Sequence, residues 1–185
     1  STLTVTTSPT GFTYNTIPLS VGQWLSGVAI NWQQYAWRKL RIIYVPACPT
    51  TASGTVSMAW LYDYTDTVPL TTAAMTTLAG FTTSPIWAGY DAANMLKSIR
   101  APCPACAVCV ELDVRRLAKV WYKYVTASEL VTETTVSAAL GNERVPARLV
   151  VVTEGGASTT AQVAGRLFVQ YAVELAEPVQ SSLNT

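Results

Sequence analysis

The sequence predicts an all-β protein: an eight-stranded antiparallel jelly-roll β-sandwich with short helices in its loops. Alternation of apolar and polar residues, which marks a strand with one buried face, recurs along the whole chain. Helical patterns are few and short, whereas the crossover helices of a parallel sheet would be longer and more regular. A length of 185 residues suits one domain. We therefore expect residues 1–185 to form a single domain.

Six segments carry clear strand patterns. Segment 54–63 places Val56, Met58 and Trp60 on one face, which predicts that Trp60 lies in the core. Segment 166–175 alternates in the same way, with Leu167 and Val169 on the apolar face. The other clear strands are 39–45, 107–113, 120–124 and 147–153, and weaker patterns at 12–17, 27–30 and 85–87 bring the total to eight or nine.

Helical patterns occur in three places between the strands. Residues 71–78 follow Pro69 and end before Gly80, and residues 91–98 begin at Asp91, a residue type that caps helix N-termini. Each is long enough for about two turns. Residues 128–140 are ambiguous, because they are rich in β-branched residues but are bounded by residue types found at helix ends.

Composition favours a self-associating protein. Half of the residues are apolar, only 12% are charged, and the net charge is +1. No apolar run approaches the roughly 18 residues of a membrane span, so we expect no membrane partner. A surface with so few charges is common where it becomes contact area between subunits. The low net charge also indicates that strong binding to nucleic acid depends on residues outside this segment.

The four cysteines, Cys48, Cys103, Cys106 and Cys109, raise the alternatives of a disulfide or a metal site. The last three have CxxCxxC spacing, but the sequence contains no His and only Cys48 remains as a fourth thiolate. We therefore favour small buried thiols over metal ligation.

Two carboxylates, Asp63 and Asp66, lie three residues apart where a strong strand pattern breaks into a loop containing Pro69. Two adjacent carboxylates repel each other unless a cation neutralises them, and their oxygens suit a hard cation such as calcium. The alternative is that both aspartates only cap the loop or the short helix that follows. The chain has no His, no GxSxG and no glycine-rich phosphate loop, so we do not expect an enzyme.

Six segments resemble the shell domain of sobemovirus coat proteins, especially those of grass-infecting members. The most specific is YDYTDTVP at 62–69, which ends the longer match 54–69. The others are WRKLRIIYVP at 37–46, GFTTSPIW at 80–87, WYKYVT at 121–126, VPARL at 145–149 and SLNT at 182–185.

The resemblance implies a capsid-type jelly roll, the shell (S) domain, whose copies form a T=3 icosahedral shell around single-stranded RNA. It implies calcium between subunits, held by Asp63 and Asp66 of one copy and by Asn184 and a main-chain carbonyl of its neighbour. The carbonyl is expected within 121–124, with Tyr122 or Tyr124 favoured. Removing calcium should then leave facing carboxylates that repel as pH rises, while lower pH would protonate them and partly restore contact. It further implies a basic RNA-binding arm upstream of Ser1, and a virion assembled in the host cytoplasm.

Seven basic residues are candidates for an inner surface that contacts RNA, although solvated charges or ion pairs between subunits explain them equally well. Trp24 and Trp32 are candidate subunit contacts, with core or loop packing as the alternative. The main rival function is a calcium-dependent lectin or adhesin jelly roll, and a more remote one is a β-sandwich hydrolase. The seven basic residues are Arg38, Lys39, Arg41, Arg115, Arg116, Lys119 and Lys123.

Overall fold

The structure, a computed structural model, describes residues 1–89 and 108–179. Within these residues the chain forms nine strands. They are β1 (Thr2–Val5), β2 (Thr10–Asn15), β3 (Trp32–Pro46), β4 (Thr55–Leu61), β5 (Ala79–Pro85), β6 (Val108–Glu111), β7 (Tyr122–Lys123), β8 (Arg148–Glu154) and β9 (Gln162–Pro178).

Short helices connect the strands. Thr126 caps the longest of them, α4, through a capping box in which the Glu129 side chain accepts from the Thr126 backbone N–H. The described helices are α1 (Pro18–Val21), α2 (Gln23–Ala29), α3 (Thr72–Met75), α4 (Ala127–Val136), α5 (Ala139–Arg144) and a 3₁₀ turn at Val114–Arg116. None of them has both the length and the apolar character needed to cross a bilayer.

The strands form two antiparallel sheets with jelly-roll topology. The first sheet has the order β1-β9-β3-β6, with the two-residue β7 also paired to β3, and the second has the order β2-β8-β4-β5. The pairings are nested: β1 pairs with β9, β2 with β8, β3 with β6, and β4 with β5. A long hairpin rolled up on itself produces this nesting, so the predicted fold class is confirmed.

The main core lies between the two sheets. Val56, Met58 and Trp60 of β4 all point into it, and Trp60 is 1% exposed, as the alternation predicted. A second apolar cluster covers the outer face of the second sheet, where Met75 of α3 packs on it. Strands β4 and β8 are therefore buried on both faces. This second cluster comprises Ala59, Leu61, Met75, Val150 and Val152.

Several predicted elements differ from the structure. The strand expected at 27–30 is wrong: Gln23–Ala29 forms α2, because Leu25 and Ala29, four residues apart, bury one helical face. The weak strand at 85–87 is displaced, since β5 ends at Pro85. Strand β1 was not predicted, because only two of its residues, Leu3 and Val5, are apolar and buried.

Two expected helices have different outcomes. The ambiguous segment 128–140 resolves into α4 and α5. The helix expected at 91–98 lies outside the described residues.

Candidate functional site

The candidate metal site is the loop that follows β4, which carries Asp63 and Asp66. Asp63 Oδ1 accepts hydrogen bonds from Thr65 Oγ1 at 2.6 Å, Thr65 N at 2.8 Å and Asn142 Nδ2 at 2.8 Å. These bonds, with a smaller contribution from the charge of Arg148, lower the pKa of Asp63 to about 2. Asp63 therefore stays ionised in mild acid in the isolated subunit.

The remaining carboxylate oxygens of the pair are free to bind a ligand. Both aspartates are exposed, and within residues 1–89 and 108–179 no hydrogen bond reaches Asp63 Oδ2 or the carboxylate of Asp66. Oxygen donors of this kind fit calcium. The described residues contain no group of three or more His, Cys, Asp or Glu side chains able to hold a metal. The loop would therefore need further oxygen donors from elsewhere.

Residues distant in sequence hold this loop in place. Arg148 of β8 donates from Nη2 to the carbonyl oxygen of Asp66 at 2.7 Å and of Asp63 at 3.4 Å, and its guanidinium lies over the Tyr64 ring at 4.8 Å. Asn142 Oδ1 accepts from Tyr64 N at 2.6 Å. Gly141 is needed for this packing, because a Cβ there would lie 2.2 Å from the Tyr64 ring.

Sequence reasoning missed the roles of Asn142 and Arg148. The only local signal was that Asn142 follows Gly141 at a probable helix end, and VPARL entered only as part of the family resemblance. Nothing in the alternation of β8 shows that the Arg148 side chain reaches the loop.

The two tyrosines proposed to contact calcium from a neighbouring copy, Tyr122 and Tyr124, are buried and hydrogen-bonded within their own subunit. Tyr122 is 1% exposed, packs against the Tyr35 ring at 6.1 Å, and accepts a hydrogen bond from Lys119 N at its hydroxyl. Tyr124 is also buried, and its N–H donates to Gln33 O at 2.7 Å.

Among the described residues no hydrogen bond or ion pair joins Tyr122 or Tyr124 to Asp63 or Asp66. The structure of a single subunit therefore does not bring these predicted ligands together. Asn184 lies outside the described residues.

Three of the basic candidates lie on β3 and are paired with carboxylates. Arg38 pairs with Glu174 at 2.5 Å, with both side chains about half exposed. Glu111 pairs with Lys39 at 3.3 Å and with Arg41 at 2.9 Å, and the Arg41 side chain is only 3% exposed. Arg41 is thus neutralised within its own sheet and offers little charge to RNA.

The other four basic candidates are exposed. Arg115 and Arg116 lie on the 3₁₀ turn, with Arg116 over the Tyr62 ring at 5.0 Å. Lys119 lies 3.8 Å from Glu143, and Lys123 is exposed on β7. RNA contact stays a prediction for these residues.

The cysteines and two tryptophans, Trp24 and Trp32, are the remaining candidate residues. Cys109 is disulfide-bonded, so it is not a free thiolate ligand, whereas Cys48 is free and burial raises its pKa. Cys103 and Cys106 lie outside the described residues. Trp24 on α2 is 72% exposed, which suits a subunit contact, and Trp32 is half-buried at the start of β3.

Curated relatives of this chain are capsid proteins of plant viruses. The capsid protein of Poinsettia latent virus is 37% identical over 168 residues, which cover 90% of this chain and 55% of the relative. That of Tobacco necrosis virus strain A is 37% identical over 161 residues, covering 87% and 56%. The chain thus spans little more than half the length of these relatives. Both relatives are structural proteins, which is consistent with the expectation that this chain is not an enzyme.

Solved structures show the same fold. That of tobacco necrosis virus matches with a TM-score of 0.88 and 31% identity, covering 98% of this chain and 93% of the other. That of Cocksfoot mottle virus matches with a TM-score of 0.85 and 26% identity, covering 100% and 93%. The family model described as viral coat protein (S domain) matches residues 1–181. This chain therefore belongs to the viral coat protein S-domain family.

Proposed function

We propose that the chain is the shell domain of a coat protein whose copies assemble into a T=3 icosahedral capsid around single-stranded viral RNA. Membership of the S-domain family and the two close structural matches support this role. Exposed large apolar side chains such as Trp24, Leu70 and Val120 supply surface that contact with further copies would cover. The protein would then be part of the virion, which would assemble in the host cytoplasm.

Calcium is proposed to bridge neighbouring subunits at the aspartate loop, the segment after β4 that carries Asp63 and Asp66. The observation that carries this proposal is that Asp63 Oδ2 and the Asp66 carboxylate are exposed and accept no hydrogen bond from residues 1–89 and 108–179, while Asn142 and Arg148 bind the same loop. One copy would provide these two carboxylates, and its neighbour would provide Asn184 and the carbonyl of Tyr122 or Tyr124. Calcium would supply the positive charge that keeps the carboxylates from repelling the adjacent copy.

The effect of pH on this interface follows from the charge of Asp63. With its pKa at about 2 in the free subunit, Asp63 keeps its charge when calcium is removed at any pH above about 4. The expected restoration of contact at lower pH therefore requires that assembly raise the pKa of Asp63 by bringing further carboxylates close.

The similarity to virus proteins favours a capsid role over the rival roles of a lectin or adhesin. The relatives and structural neighbours above are virus proteins, which favours a shell over a lectin or adhesin that uses calcium to hold a sugar. A sobemovirus origin is part of the proposal, supported by the capsid protein of Cocksfoot mottle virus at 32% identity over 154 residues. The capsid protein of Tobacco necrosis virus strain A is more similar than that of Cocksfoot mottle virus, so the coat-protein role does not depend on that finer assignment.

RNA binding by this domain is proposed to be weak and to involve Arg115 and Arg116, since Arg41 is buried and Arg38 is paired. Most of the neutralisation of RNA phosphates is assigned to a basic arm upstream of Ser1, because phosphate binding requires clustered Lys and Arg.

The test uses full-length coat protein that forms particles. Wild-type particles treated with a calcium chelator at neutral pH should expand and sediment more slowly, and added calcium should reverse this. The double substitution Asp63→Asn, Asp66→Asn should remove the response to chelator, because no facing carboxylates remain. Asp113→Asn, on an exposed aspartate that caps the 3₁₀ turn, is the matched control and should respond as wild type. Failure to form particles at all would refute the capsid role, and an unchanged response in the double variant would refute the calcium bridge.

A further inference from the structure

We propose that Arg148 is a positioning residue that holds Asp63 and Asp66 in their ligating arrangement before calcium arrives. The inference rests on the calcium bridge described above, and it assigns a role to a residue that is not itself a ligand.

The backbone of Arg148 is fixed by the second sheet. It is the first residue of β8, where it is paired with Asn15 on one side and with Leu61 on the other. Leu61 is the last residue of β4, immediately before the aspartate loop. The base of the Arg148 side chain is therefore anchored beside the point where the loop begins.

The guanidinium ties together the two residues that supply the carboxylates. Its Nη2 atom donates to the main-chain oxygen of Asp66 at 2.7 Å and to that of Asp63 at 3.4 Å. Because it binds their carbonyl groups, it fixes the backbone at both residues without occupying either carboxylate. The side-chain oxygens stay available to an ion.

The plane of the guanidinium is fixed as well. It lies over the Tyr64 ring with Cζ 4.8 Å from the ring centroid, and its Nε is shielded from solvent and has no hydrogen-bond partner among the described residues. The Tyr64 ring in turn packs against Gly141, where even a Cβ would clash. A lysine cannot reproduce this stacked, planar contact although it carries the same charge.

The charge of Arg148 and its contacts with the loop predict opposite changes in calcium affinity when Arg148 is replaced. A positive group close to the site repels calcium, so if Arg148 acted by charge alone, its removal would strengthen calcium binding. If it orders the loop, its removal would weaken binding, because the ion would then have to immobilise Asp63 and Asp66 itself. The cost of ordering side chains on binding corresponds to about 2- to 10-fold in affinity for each.

The experiment compares Arg148→Lys and Arg148→Met in full-length protein, with Arg166→Lys on the exposed part of β9 as the matched control. In assembled particles, the free-calcium concentration at the midpoint of expansion is measured by sedimentation. In unassembled, calcium-free subunits, hydrogen exchange is measured at the amides of Tyr64 and Thr65, whose N–H groups donate to Asn142 and Asp63.

We expect both Arg148 variants to need about 4- to 100-fold more calcium than wild type, about 2- to 10-fold for each of the two aspartates, and both amides to exchange faster in them without calcium. Arg166→Lys should match wild type in both measurements. Tighter calcium binding in Arg148→Met with wild-type behaviour in Arg148→Lys would overturn the inference, as would unchanged exchange in both variants. The exchange measurement needs no calcium, so the inference can fail or succeed separately from the calcium bridge, which the Asp63 and Asp66 variants test.

Discussion

Replacing Glu111 with Gln should destabilise the subunit, because it removes a carboxylate that pairs with the buried guanidinium of Arg41. Arg41 Nε and Nη2 donate to Glu111 Oε2 at 3.1 and 2.9 Å, and Lys39 Nζ lies 3.3 Å from Oε1. The Glu111 carboxylate thus forms ion pairs with both Arg41 and Lys39. Arg41 Nη1 also donates to Gln170 Oε1 at 3.4 Å.

The size of the effect follows from the unequal burial of the pair. The Arg41 side chain is 3% exposed, so its charge cannot be hydrated again, whereas the Glu111 side chain is 41% exposed and water screens it. Breaking a fully buried pair costs about 3–5 kcal/mol. The exposure of Glu111 and the acceptor retained by Gln reduce this to about 2 kcal/mol. For a domain of this size, that corresponds to a decrease in Tm of about 4–8 °C.

Thermal unfolding of the unassembled protein measures the effect. Glu174→Gln is the matched control, because it breaks the Arg38 pair in which both side chains are about half exposed, and it should change Tm little. Equal decreases in Tm for the two variants would refute the reasoning, since burial would then not decide the value of an ion pair in this sheet.

Two further predictions concern backbone packing and pH. Gly165→Ala should lower Tm by much more than Glu111→Gln, because a Cβ at Gly165 would lie 2.4 Å from the carbonyl oxygen of Val45 in the paired strand; a Tm near that of wild type would contradict this. In the free subunit, the Asp63 carboxyl should titrate near pH 2 by NMR, and its contribution to stability should be present above its unfolded pKa of about 3.8 and lost as pH falls toward 2. Asn142→Ala should move this titration upward, and an unchanged midpoint would show that the hydrogen bond from Asn142 does not set it.

Alternation of apolar and polar residues was enough to predict most of the fold. It located β3, β4, β8 and β9 and placed Trp60 in the core. It failed for β1, which is too short to show a period, and for 27–30, where a short apolar run is compatible with either a strand or a helix. Packing of Leu25 and Ala29 decided that case in favour of α2.

The candidate site was predicted only in part. Asp63 and Asp66 were identified because two carboxylates lie three residues apart at a strand end, and the family resemblance then favoured metal binding over loop capping. Asn142 and Arg148 were not, because they lie 79 and 85 residues from Asp63 and meet it only after β4 and β8 pair. Likewise, the sequence showed that Arg41 is basic but not that its side chain is buried.

The sequence by itself determined where the long strands β3, β4, β8 and β9 lie and which of their faces are apolar, because both follow from a period of two residues. Tertiary structure alone decided which strands pair, and therefore which charges become buried and which side chains surround the aspartate loop. The reason is that Coulombic interactions and hydrogen bonds act through distances in space, and nested pairing brings together residues that are far apart along the chain.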